Sequence, residues 1–197
     1  MDERELTDDP LNLLRTWLDA ARAALPDTFD AMGLATVGPD GSPAVRIVLL
    51  KDVSDDGLVF FTNYRSRKAA ELDAAGCCAV VLHWPSLVRQ VRVEGAVSRV
   101  TDAESDAYFE TRDRGSQIGA WASAQSQVLR SRAELEAQVT ACSARFGDGP
   151  VPRPSHWGGY RIRPKAVEFW QAGENRLHDR FRYRREADAW RVERLAP

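Results

Sequence analysis

The feature that most constrains this chain is a change of hydrophobic period near Met32. Before it, Asp9 followed by Pro10 reads as an N-cap with proline at the first helical position, and Leu11, Leu14, Leu18 and Ala21 share one face. A helix is predicted to about Ala24. After it, M-G-L-A-T-V, A-V-R-I-V-L-L and L-V-F-F-T, separated by G-P-D-G and S-D-D-G turns, predict three strands of an antiparallel meander. Ser66 caps a short helix ending near Gly76, and Cys77 to Trp84 and Val88 to Val100 predict two valine-rich strands. Thr101 with Glu104, and Ser131 with Glu134, are capping boxes opening helices of about 11 and 15 residues. Gly147 to Trp157 is a proline-rich loop, and strand-like sequence resumes at Tyr160. A last hairpin joins Phe181–Arg185 to Trp190–Arg194 across Glu186 to Ala189.

Six or more strands in hairpin order with inserted helices predict an α+β fold on an antiparallel barrel; periodicity alone does not separate a barrel from a sandwich. At 197 residues the chain fits one domain that buries roughly 70% of its unfolded surface. It comprises an N-terminal arm and helix (1–25), a body, and C-terminal strands (158–197). The net charge of −2 argues against nucleic-acid binding by bulk electrostatics, so any basic site is local. Three cysteines, two of them adjacent, make a disulfide framework implausible, and no metal-ligand spacing occurs. No signal peptide or 18-residue apolar run is present, which predicts a cytoplasmic protein without membrane contact.

Several cations stand where they need partners. Arg46 interrupts a run that is apolar on both strand faces and so reads as buried; it must meet either an internal carboxylate or a ligand anion. Lys51, five residues on, falls on the opposite face of a regular strand. Arg67 and Lys68 occupy the first turn after the Ser66 cap, where the helix dipole disfavours positive charge unless an anion binds. The alternative is a helix that starts a turn later, with both cations solvated. Tyr108, Arg112 and Ser116 are spaced as one helical stripe, with Gly115 expected to break it. Arg176, His178 and Arg180 alternate, so an extended chain would project all three from one face toward an anion. A solvated edge strand flanked by Asp179 and Glu174 is the competing reading.

The segment E-F-W-Q-A-G-E-N-R-L-H-D-R (Glu168 to Arg180) resembles the C-terminal signature of the pyridoxine (pyridoxamine) 5′-phosphate oxidases, flavoenzymes of vitamin B6 metabolism. The resemblance continues through R-I-V-L-L-K, F-F-T-N-Y-R-S-R-K-A, R-Q-V-R-V-E-G, S-Q-I-G-A-W-A-S-x-Q-S, W-G-G-Y and the terminal R-L-A-P, and covers about residues 9 to 197 in one register. It implies an antiparallel split β-barrel that binds flavin mononucleotide (FMN), works as a homodimer with cofactor sites at the subunit interface, and oxidises pyridoxamine or pyridoxine 5′-phosphate with dioxygen.

Carried over by position, the resemblance puts the flavin phosphate on Arg46, Arg67 and Lys68. Phe61, Thr62 and the stretch Arg46, Ile47, Val48, Leu49 to Lys51 would follow the ring system. Gln90, Gln125, Ser126, Trp170 and Arg180 would complete the cofactor site, some from the other subunit. The substrate phosphate would fall to Lys51, Tyr108, Arg112 and Ser116, with Arg176 and His178 over the pyridine ring as the catalytic pair. Read without the resemblance, Gln90, Gln125 and Ser126 are equally satisfied polar groups, and Trp170 is core packing. Relatives often carry a longer N-terminal arm over the substrate, and Asp113 and Gly115 depart from the family's usual loop. The rival readings are a flavin oxidase of the phenazine-biosynthesis type and a non-catalytic FMN or pyridoxal phosphate carrier.

Overall fold

The computed structural model describes residues 1–187 and 189–197; Asp188, in the expected turn between the last two strands, lies outside the described residues. The first helix, α1 (Pro10–Ala24), starts and ends as expected, with the Asp9 carboxylate accepting the Leu11 N–H. Among the described residues nine strands follow: β1 (Ala31–Val37), β2 (Pro43–Leu49), β3 (Asp52–Ser54), β4 (Gly57–Asn63), β5 (Cys77–Trp84), β6 (Arg89–Arg99), β7 (Trp157–Gln171), β8 (Asp179–Glu186) and β9 (Ala189–Arg194). The helices between them are α2 (Arg67–Ala75), α3 (Asp102–Glu110), α4 (Arg114–Ala122) and α5 (Arg132–Phe146).

All nine strands belong to one antiparallel sheet with the order β2-β1-β5-β6-β7-β4-β3, β8 and β9 continuing from β7. The expected three-strand meander is corrected here. β1 pairs with β2 and β5, and β4, instead of adding to the free edge of β2, pairs with β7 and with the short β3. The long β7 gives one whole edge to β6 and divides the other between β4, along Trp157–Ile162, and β8, along Ala166–Gln171. A bulge at Glu94/Gly95, opposite Pro164, lets the β6–β7 ribbon curl. Only glycine fits at 95, because a Cβ there would run into the Arg163 carbonyl. Across the gap between β2 and β4 the link is the chain itself: the Leu50 N–H donates to the Asp30 carbonyl and the Lys51 N–H to the Val59 carbonyl, both at 2.8 Å. The sheet is therefore a barrel left open along a seam, and Lys51 sits on that seam.

The core lies where α1 covers the sheet. Trp17 meets Phe169 edge-on at 5.2 Å and Trp84 at 6.5 Å. Val93, Val167 and Tyr183 are directly opposed on β6, β7 and β8 and are fully buried with them. Leu13 and Trp17 join the expected apolar face of α1. The first residues pack on β8 and β9: the Tyr183 hydroxyl donates to the Thr7 carbonyl at 3.0 Å, and the Arg194 guanidinium pairs with Glu3 at 2.6 Å.

Three further expectations change. β2 is a sheet edge rather than a buried strand, leaving Val45, Ile47 and Leu49 exposed at 73%, 67% and 47%. The stripe from Tyr108 to Ser116 breaks at Thr111–Asp113, before Gly115. There Asp113 caps α4, a helix the periodicity does not announce, by accepting the Ser116 N–H at 2.8 Å. The Thr101/Glu104 box is complete, whereas the Glu134 carboxylate takes the N–H of Arg130, so Ser131 caps α5 alone.

Candidate functional site

A cavity of about 670 Å³ opens between the end of β2, β4, the start of α2, and α3–α4. Ile47, Val48, Leu49, Lys51, Phe61, Thr62, Lys68 and Gln125, from the expected cofactor set, line it together with Tyr108, Arg112 and Ser116 from the expected substrate set. Residues scattered over some eighty positions thus converge on one space.

Arg46, Arg67 and Ser126 are not among the lining residues; they gather with Glu71 at one end, at the start of α2 next to Lys68, and there the cations are short of counter-charge. The buried Glu71 carboxylate accepts the Thr36 hydroxyl at 2.5 Å, the Arg67 Nε–H at 2.6 Å and the Arg46 Nη2–H at 3.0 Å. The Thr36 hydroxyl bond, then those from Arg67 and Arg46, hold its carboxyl below the usual range against the opposing pull of burial. Thr36 also accepts from Arg46. Sequence reasoning did not single out Glu71; its place four residues after Arg67 on one helix face was the available signal. Lys68 has no carboxylate within pairing distance among the described residues. Its ammonium donates to Gln125 Oε1 at 2.8 Å, Thr62 Oγ1 at 3.2 Å and Ser66 Oγ at 3.4 Å, and burial, then the charge of Arg46, lowers its pKa. Arg46 and Arg67 therefore share one carboxylate and Lys68 has none, so two positive charges are left over, the complement of a phosphate dianion. The Ser66 hydroxyl is engaged by its own helix, accepting the Ala69 N–H. Ser126 takes its place at the helix start: held at φ 74°, it accepts the Arg67 N–H at 3.2 Å.

The other end is aromatic. Phe61 lies parallel to Tyr108 at 4.0 Å and to Trp157 at 5.5 Å. Arg112 stacks on Trp157 with its guanidinium carbon 4.6 Å from the ring centre. Its Nη1 is buried without a hydrogen-bond partner, and burial lowers its pKa. A buried, unpaired guanidinium N–H at a cavity wall is costly unless a ligand oxygen accepts it. Trp157, part of the W-G-G-Y block, belongs to this wall although its motif alone gave it no role. Lys51 pairs with Asp30 at 2.7 Å.

The C-terminal residues stand apart. Gln90, Trp170 and Arg180 are directly opposed on β6, β7 and β8, forming one row across the sheet, and none of them lines the cavity. The extended row of Arg176, His178 and Arg180 does not form. Residues Glu174–Arg176 make a tight turn with Asn175 at φ 52° and Arg176 at φ 63°, so the alternation fails before His178. His178 Nδ1 accepts the Gly173 N–H at 3.3 Å, and its ring lies 4.6 Å from that of Trp170. Gly173 is required, because a Cβ would meet the Leu177 carbonyl. Arg180 pairs with Glu168 at 2.8 Å, and Arg176 is exposed.

The chain is similar to known proteins along its length. A family model described as pyridoxamine 5′-phosphate oxidase matches residues 18–146, and one described as the pyridoxine 5′-phosphate oxidase C-terminal dimerisation region matches residues 157–197. A pyridoxine/pyridoxamine 5′-phosphate oxidase from Thermosynechococcus vestitus is 57% identical over 196 residues, covering 99% of this chain and 92% of the relative. One from Salinibacter ruber is 52% identical, covering 98% and 91%. The crystal structure of PhzG from Burkholderia lata, solved with tetrahydrophenazine-1-carboxylic acid, superposes with a TM-score of 0.94 at 31% identity, covering 100% of this chain and 98% of that one. A pyridoxamine 5′-phosphate oxidase-related, FMN-binding protein from Nostoc punctiforme shares the split-barrel fold, with a TM-score of 0.76 at 18% identity over 98% and 100% of the two chains. With two family models accounting for nearly the whole chain and full-length relatives above half identity, this chain belongs to the pyridoxamine 5′-phosphate oxidase family.

Proposed function

We propose that the chain is an FMN-dependent oxidase that converts pyridoxamine 5′-phosphate or pyridoxine 5′-phosphate to pyridoxal 5′-phosphate. One dioxygen is consumed and one hydrogen peroxide released per turnover; the amine substrate also takes up water and yields ammonia. The single observation that carries this reading is a cavity lined by Lys68, one of a cluster of three cations that keeps two uncompensated positive charges, and by Arg112, whose buried guanidinium N–H has no acceptor.

FMN, when bound, supplies the two-electron acceptor that dioxygen re-oxidises. Arg46, Arg67 and Lys68 would hold its phosphate, Glu71 keeping the two arginines together and Gln125 and Thr62 orienting the lysine. Ile47, Val48, Leu49 and Phe61 would flank its rings, with Ser126 at the start of α2. Lys51, Tyr108, Arg112 and Ser116 would anchor the substrate phosphate, and the parallel Phe61, Tyr108 and Trp157 rings would exclude water beside it.

Gln90, Trp170, Arg180, Arg176 and His178 lie outside this chain's cavity, and the homodimer supplies them from the other subunit. The exposed Val45, Ile47 and Leu49 stripe on the β2 edge is a surface fitted to that association. In the assembled site Arg176 would hold the substrate ring and stabilise developing charge, and His178 Nε2 would orient its polar substituents, Nδ1 being engaged by Gly173.

No helix among the described residues is long and apolar enough to cross a membrane. The three cysteines are free, which supports the reducing cytoplasm as the setting. Anaerobic addition of pyridoxamine 5′-phosphate to the flavin-loaded protein tests the reading: bleaching of the flavin bands, with oxygen uptake on aeration, is the expected result. A yellow protein that neither bleaches nor consumes oxygen would be a carrier, and one reduced only by a phenazine precursor would be an oxidase of the other type.

A further inference from the structure

The seam of the barrel carries an ion pair that the mechanism above does not use. Lys51 Nζ donates to Asp30 Oδ2 at 2.7 Å, and the two side chains are only 26% and 14% exposed. Lys51 lines the main cavity and also a second cleft, of about 340 Å³, beneath α1, which Asp30 lines. The ammonium is thus set in the wall between the two, held from the α1 side. Asp30 is fixed from both directions: its carbonyl accepts the Leu50 N–H at 2.8 Å, and the next residue opens β1. An ammonium has three donors; Asp30 takes one and leaves the others for the cavity.

We propose that Asp30 is a positioning residue that sets the affinity of the site for the substrate phosphate by competing with it for Lys51. The inference rests on Lys51 contacting that phosphate. In a half-buried setting the carboxylate cancels part of the lysine's charge and repels a dianion arriving on its far side, so every binding event works against Asp30. The arrangement at the flavin-phosphate end is the reverse, since there cations outnumber carboxylates and the cofactor is held by their surplus. A site that keeps its cofactor but must release a phosphorylated product every turnover gains from this asymmetry.

The test uses the flavin-loaded enzyme. Asp30→Asn keeps the shape and an acceptor for Lys51 while removing the charge; Asp30→Ser is a second variant should the amide fold poorly. The expected result is a KM for pyridoxamine 5′-phosphate, and an inhibition constant for inorganic phosphate, about three- to tenfold lower, with kcat and FMN affinity little changed. The gain should shrink as salt is raised. Structural damage would move both constants upward. Lys51→Met separates the premise from the inference. If it weakens substrate and inorganic phosphate binding but Asp30→Asn leaves them unchanged or weaker, the competing role of Asp30 is overturned. If Lys51→Met changes neither, Lys51 does not hold the phosphate, and the inference fails with that assignment.

Discussion

The cavity wall and the C-terminal turn both carry blocks that match the family, yet they behave oppositely in the fold. In the wall, short blocks from β2, β4, α2 and α3–α4 meet around one space, and their cations outnumber the carboxylates there. In the turn, the densest motif of the chain lies outside that space, with Arg180 paired to Glu168 and Arg176 exposed on a left-handed turn. The difference teaches that a motif can be dense in sequence and still stand apart from the cavity that other blocks of the same chain build. The side chains of the wall converge on one space, whereas in the turn Arg176 and Leu177 are exposed.

The sharpest way to break the comparison is Arg176→Ala. In the role proposed for Arg176, loss of its charge should lower kcat by about 100-fold or more while FMN binding changes little. Stopped-flow reduction and a flavin titration on the same variant check this, and equal loss of both would place Arg176 in the cofactor site.

Val45→Asp comes next. A charge in the exposed β2 stripe should dissociate the homodimer and remove activity with it, leaving the monomer folded; sedimentation and circular dichroism report the two separately. Retained dimer would move the interface elsewhere.

Lys68→Met should weaken FMN by about tenfold to 100-fold, the worth of a charge-assisted hydrogen bond, with kcat of the saturated enzyme nearly intact. Fluorescence titration of the apoprotein decides it.

Glu71→Gln is the smallest and bears on stability. The wild-type carboxyl has a folded-state pKa below its unfolded value. It therefore contributes stability fully present above the unfolded pKa, and that contribution is lost as pH falls through the folded one. The variant should be less stable than wild type at neutral pH by about 2 kcal/mol, the cost of leaving two arginines facing each other, and the gap should close in acid. Denaturant titrations of the apoprotein at pH 7 and pH 4 measure it.

The sequence by itself determined the elements whose causes are local. The Asp9–Pro10 start of α1, the Ser66 cap and left-handed Gly76 end of α2, the Thr101 box, and the β5 and β6 strands follow from caps, φ preferences and period-two burial within a few residues. Its blocks also match the family in one register, which is what marks out the candidate site residues. Only the tertiary structure decided that β4 leaves the meander for β7, that the apolar β2 is an exposed edge, and that Arg46 and Arg67 share Glu71. It likewise decided that Asp30 holds Lys51, and that Arg176 and His178 do not line the cavity. The reason is physical: strand pairing, burial and charge compensation depend on partners far along the chain or on another chain, and an alternating or helical pattern records which face a residue takes but not what lies across from it.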